Sequence, residues 1–89
     1  MSDATFRIRV TVRLKAGVND PQGATVQAGL RDLGYRQVDG VRVGKIIEFT
    51  LTAADQAAAH AQVDAMCHAL LANPVIETFA IDLGTQVEA

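Results

Sequence analysis

A chain of 89 residues and 9.4 kDa, 49% apolar and 20% charged, has the composition of one folded domain and excludes intrinsic disorder. Its size allows a single modest core. No apolar run approaches the ~20 residues of a membrane span, and Met1-Ser2-Asp3 lacks the basic-then-apolar layout of a secretory leader. The net charge of −2 is unevenly placed, with eight Lys or Arg against four acids in residues 1–45 and six acids with no Lys or Arg in residues 46–89. Such a split fits a partner-binding face, a nucleic-acid face or internal pairing.

From Phe6 to Leu14, apolar Phe6, Ile8, Val10, Val12 and Leu14 alternate with Arg7, Arg9, Thr11 and Arg13. The period of two predicts a half-buried strand. After the loop Lys15 to Asn19, Asp20 suits a helix N-cap and Pro21 the first helical position. Val26, Leu30 and Leu33 then recur at helical spacing, and Gly34 supplies a stop.

Tyr35 to Val38 reads as a short strand, and Asp39-Gly40 as the two-residue turn of a hairpin. Val41, Val43, Ile47, Phe49 and Leu51 continue as a strand, in which Gly44 marks a bulge or a close backbone approach. One long bent strand from Tyr35 to Leu51 is the alternative. Thr52 with Asp55 resembles a capping box opening an alanine-rich helix, whose buried stripe is Ala59, Val63, Met66 and Leu70. Asn73-Pro74 ends that helix, and Val75, Phe79, Ile81 and Leu83 give a last strand. Residues 1–5 and 85–89 read as loose tails of a single domain. The order βαββαβ predicts an α+β, ferredoxin-like sandwich, with an antiparallel four-stranded sheet and two helices on one face.

Material for catalysis is sparse. His60, Asp64 and His68 share a helical flank, but eight residues separate the two histidines by roughly 12 Å along the axis, so three ligands cannot converge on one metal ion. Helical ion pairing is the expectation. Cys67 reads as a small buried thiol, without a Lys or Arg in its half of the chain to stabilise a thiolate. A single cysteine excludes an internal disulfide and agrees with a reducing, cytoplasmic setting. Phe6, Phe49 and Phe79 all fall in the apolar register, so no stacking platform for nucleic acid is expected. Asp20-Pro21-Gln22-Gly23 has one glycine and no following lysine, unlike a phosphate loop. Gln22 and Gly23 in a first helical turn, and Gly44 with Lys45 in a strand, are locally costly. They favour a binding or assembly module over an enzyme.

Read in order, four blocks resemble a known family. Leu14-Lys15-Ala16-Gly17-Val18-Asn19-Asp20-Pro21-Gln22-Gly23, Leu33-Gly34-Tyr35, Val41-Arg42-Val43-Gly44-Lys45, and Met66-Cys67 with Leu70-Leu71-Ala72-Asn73-Pro74-Val75-Ile76-Glu77 are similar to the small PurS subunit of phosphoribosylformylglycinamidine synthase. The resemblance runs from Phe6 to about Leu83. It implies a cytoplasmic accessory subunit of a purine-biosynthetic ligase, without catalytic residues, metal or cofactor of its own. In that family a large synthetase subunit uses ATP, with Mg, to activate the formylglycinamide amide oxygen, and a glutaminase subunit supplies the ammonia that replaces it. The small subunit, a dimer or tetramer, helps hold the two together. By motif position the resemblance implies contacts at Asp20, Gln22, Gly23, Arg42, Gly44, Lys45, Asn73 and Glu77. It implies no nucleic-acid or membrane partner. A module of the ACT type, sensing an amino acid at a dimer interface, is the alternative.

Overall fold

The computed structural model describes residues 3–87, with side-chain environments for residues 3–84. Strand β1 spans Ala4–Leu14 and helix α1 Pro21–Asp32. Strand β2 spans Lys45–Ala53, helix α2 Gln56–Met66, and strand β3 Glu77–Val87, with a π-helical turn over Cys67–Leu71. The three strands form one antiparallel sheet in the order β2-β1-β3. Pairing starts at Ala4 and runs to Val87, so it reaches into both segments expected to be tails. Met1, Ser2, Glu88 and Ala89 lie outside the described residues.

The alternation in β1 is fully expressed. Phe6, Ile8, Val10 and Val12 are buried on one face, while Arg7, Arg9 and Arg13 are exposed on the other. A central strand has both edges hydrogen-bonded, so its only freedom is which face meets the core, and the apolar period settles that. The core is closed by α2, from which Ala59, Val63 and Cys67 are buried at i, i+4, i+8. Cys67 is therefore the third residue of the stripe, as a buried thiol. Met66 sits half-buried at its side, and Leu70, expected in the stripe, is 84% exposed. The π-helical turn inserts an extra residue per turn from Cys67 onward, which rotates Leu70 outward and brings Ala72 into the core.

The α+β, ferredoxin-like class stands, with three corrections. First, the sheet has three strands and not four, because residues 35–44 form turns and irregular chain instead of a hairpin. A type I′ turn needs positive φ at both Asp39 and Gly40, and only Gly40 has it, at 66°. Asp39 instead faces Arg31 at 3.5 Å, and the Arg31 Nε–H donates to the Val38 carbonyl at 3.0 Å, tying this segment to α1. Second, the cap of α2 is Asp55, which accepts from the Ala58 N–H at 2.8 Å. Thr52 belongs to β2, where its hydroxyl meets that of Thr5 across the strands at 2.9 Å.

Third, only α2 covers the sheet. Helix α1 stands away from it: Gly23 is its one buried residue, and Val26 and Leu33 are 46% and 76% exposed. The chain measures 57 × 28 × 15 Å with a radius of gyration of 17.2 Å, against roughly 12 Å for a compact domain of this length. An apolar groove of about 350 Å³ is left beside α2, floored by Phe49 and Leu51 and walled by Met66, Leu70 and Leu71. Val75, expected in the last strand, lies in the turn before β3 and is 77% exposed.

Candidate functional site at one end of the sheet

Antiparallel pairing brings together what the sequence separates. The register pairs Val12 with Lys45 and Leu14 with Glu77, so the end of β1 and the starts of β2 and β3 share one edge of the sheet, and α1 begins beside them. Asp20, Gln22, Gly44, Lys45 and Glu77 all line one cleft of about 440 Å³ at this end. Arg42 lines the adjoining surface, Gly23 lies directly under Asp20, and Asn73 is bonded to Glu77. All eight residues implied by motif position thus fall on one end of the molecule.

Asp20 organises it. One carboxylate oxygen accepts from the Gly23 N–H at 2.8 Å, capping α1, and the other accepts from the Val43 N–H at 2.8 Å. The side chain is buried, yet its pKa is lowered. The Gly23 N–H is the largest cause, followed by the Val43 N–H; burial opposes them, and the positive charge of Arg42 assists. A single buried carboxylate therefore fastens the helix start to the segment entering β2. The same segment is tied a second time, where the Val41 N–H donates to Gln27 Oε1 at 3.2 Å. Gln27 was missed from the sequence, since a glutamine on an amphipathic helix carries no signal of a tertiary bond to a loop.

Two locally costly residues have intramolecular reasons. A Cβ on Gly23 would run into the Val41 carbonyl oxygen and the Asp20 carboxylate, and one on Gly44 would lie 2.7 Å from the Val12 carbonyl oxygen. Gly44 is thus a close backbone approach between the loop and β1. Asn73 and Glu77 close on each other. The Asn73 N–H donates to Glu77 Oε1 and the Glu77 N–H to the Asn73 carbonyl, both at 2.7 Å, while Asn73 Oδ1 accepts from the Val75 N–H at 3.0 Å. Gln22 and Lys45 are exposed, and their side chains make no hydrogen bond among the described residues. They are free to meet another surface.

Of the helical flank His60, Asp64 and His68, the last two are brought together where α2 passes into the π-helical turn. His68 Nδ1 is 3.6 Å from Asp64 Oδ2 and 2.9 Å from the Asp64 carbonyl oxygen, and the ring packs edge-on against Phe79 at 5.3 Å. Cys67 is fully buried, and burial, with the nearby Asp64 charge, raises its pKa. Among the described residues no three His, Cys, Asp or Glu side chains are placed to share a metal ion. Among the described residues no helix is long and apolar enough to cross a membrane.

A three-stranded sheet with one packed helix, one free helix and a carboxylate-pinned end defines a small α+β module built around surfaces. Residues 7–85 match the family model described as PurS: Phosphoribosylformylglycinamidine (FGAM) synthase, and the chain belongs to that family. The phosphoribosylformylglycinamidine synthase subunit PurS of a Synechocystis strain is 48% identical over 79 residues, 89% of this chain and 79% of that one. The solved PurS subunit from Thermotoga maritima superposes with a TM-score of 0.84 at 29% identity, covering 93% of this chain and 95% of its own. A chain in the solved PurLQS structure from the same organism superposes with a TM-score of 0.81 at 30% identity, covering 89% and 96%. Membership in this family sets aside the alternative of an amino-acid-sensing ACT module.

Proposed function

We propose that this chain is the non-catalytic accessory subunit of a cytoplasmic, glutamine-dependent phosphoribosylformylglycinamidine synthase. It holds a glutaminase subunit against a large synthetase subunit, so that ammonia released by one reaches the amide activated by the other. ATP and Mg are used by the assembled complex, and this chain holds neither. The observation that carries the reading is the likeness, over most of both chains, to a chain of PurLQS, a structure whose name joins PurS to two further components. The gathered end of the sheet supports it, because Gln22 and Lys45 are exposed and Asp20, Gly23, Gly44, Asn73 and Glu77 set the shape beneath them. With Arg42, these are the contacts proposed for the partner subunits or a second copy.

Self-association into a dimer or tetramer belongs to the same proposal. A lone chain leaves Val26 of α1 and Leu33 at its C-cap in water and the groove over Phe49 and Leu51 open. Large exposed apolar residues on two separate parts of the chain favour burial by another copy. The decisive experiment is co-purification with the candidate synthetase and glutaminase subunits, combined with glutamine-dependent turnover. Association, and turnover that requires this chain, are expected. Undiminished turnover without it, and failure to associate, would overturn the proposal.

A further inference from the structure

We propose that a second cleft, between the Arg13 end of β1 and the segment entering β2, binds a phosphate group, either free or carried by a small metabolite. The cleft encloses about 730 Å³, within the range of small-ligand sites, and Arg13, Arg42 and Lys45 line it together with Ala16, Gly17 and Gly44. No Asp or Glu lines it. Two arginines elsewhere are matched, Arg9 with Glu48 at 3.0 Å and Arg31 with Asp39 at 3.5 Å. Arg13, Arg42 and Lys45 make no ion pair among the described residues. Asp20, the acid on which the charge of Arg42 acts, has its two oxygens committed to the Gly23 and Val43 N–H groups.

Three like charges facing one concavity repel each other, and a chain of net charge −2 has acids to spare that could have neutralised them. An anion from outside supplies what the chain does not. Phosphate fits better than a flat acidic surface for two reasons. The Arg42 guanidinium is anchored, donating through Nη2 to the Lys15 carbonyl at 3.2 Å, which fixes its remaining donors for forked recognition of a phosphate. The Ala16 and Gly17 N–H groups make no hydrogen bond among the described residues, and Gly17, at φ +84°, has open space around it. Free N–H groups in such a turn are the donors that cradle phosphate oxygens.

The inference rests on this chain's own groups, not on the assembly role. Arg42 and Lys45 also belong to the proposed contact set, so the leading variant is Arg13→Gln, which does not. The isolated full chain, 15N-labelled, is titrated with inorganic phosphate, pyrophosphate and ribose 5-phosphate at low and high salt. Expected are saturable amide shifts confined to Gly17, Gly44, Lys45 and their neighbours, and binding that weakens with salt. Arg13→Gln and Arg42→Gln should each weaken it by about tenfold, with well-dispersed spectra reporting an intact fold. Tighter binding of ribose 5-phosphate than of inorganic phosphate assigns the site to a metabolite, and equal binding assigns it to free phosphate. Non-saturating shifts, shifts scattered over the surface, or unchanged affinity in the doubly substituted chain would overturn the proposal. Loss of partner association in Arg13→Gln without phosphate binding by the wild type would also overturn it, marking a protein contact instead.

Discussion

The Val43 N–H donates to Asp20 Oδ2 at 2.8 Å, and this bond joins a helix cap to a loop 23 residues further along the chain. With the Gly23 bond it makes Asp20 the point through which α1 is held to the sheet end. Asp20→Asn should therefore lower Tm by several degrees, because an amide oxygen can accept one of the two bonds while its NH2 faces the other donor. Thermal unfolding of the two proteins measures this. An unchanged Tm would remove Asp20 from its organising place.

The same carboxylate predicts an acid dependence. Its folded pKa lies below the ordinary value of 3.8, so the stability it contributes is fully present above that value. It is lost as pH falls from there through the lower folded pKa. Urea unfolding across this acid range should show a decline that is smaller in Asp20→Asn. Near neutral pH the group contributes no slope.

Gly44→Ala should destabilise by about 1–3 kcal/mol through overpacking, because the added carbon would stand 2.7 Å from the Val12 carbonyl oxygen. Gly29→Ala, in α1 with nothing within 4 Å of the added carbon, should instead be neutral or stabilising by up to about 1 kcal/mol. Equilibrium denaturation of the pair tests whether backbone approach, and not glycine content, sets the requirement.

Leu33→Asp at the C-cap of α1 or Leu70→Asp beside the open groove should shift the solution mass toward one chain without loss of the folded spectrum. Light scattering gives the readout. A wild-type mass equal to one 9.4 kDa chain at micromolar concentration would sink the self-association proposal.

Cys67 should be inert to thiol reagents in the native protein and react promptly in denaturant. Its side chain is fully buried and its pKa is raised above the ordinary 9.0, so both access and thiolate are withheld. The rate of modification measured against denaturant concentration checks this directly.

What the amino-acid order reveals follows from where each signal is generated. The alternation in β1 and the Asp20-Pro21 helix start are local, so they appear in the sequence and in the structure alike. Asp39-Gly40 looked like a hairpin turn, but the bonds from Arg31 to Asp39 and to the Val38 carbonyl override a two-residue propensity. Thr52 looked like a cap until the cross-strand Thr5 hydroxyl claimed it. The apolar spacing of Val26, Leu30 and Leu33 predicts a helix, and α1 forms, but it does not lie on the sheet as the sandwich expectation has it, since periodicity gives the face of a helix and not the body that covers it. At the sheet end, the bonds that join Gln27 and Asp20 to Val41 and Val43 leave no trace in the sequence, because each links a side chain to backbone far along the chain. Gly23 and Gly44 stood out as anomalies of propensity, and only the approaching carbonyl oxygens explain them.

The strand order β2-β1-β3 has a consequence for how the chain folds. Strand β1 precedes both of its neighbours in the chain, and it stays unpaired on one side until β3 has followed it. Thr5 waits for Val87. Nearly every pairing in the sheet spans a large fraction of the chain, so folding is expected to be slow for so small a domain. Until β3 docks, one whole edge of β1, the strand that carries the buried Ile8, Val10 and Val12, stays unpaired, which makes the docking of β3 a checkpoint for the entire sheet.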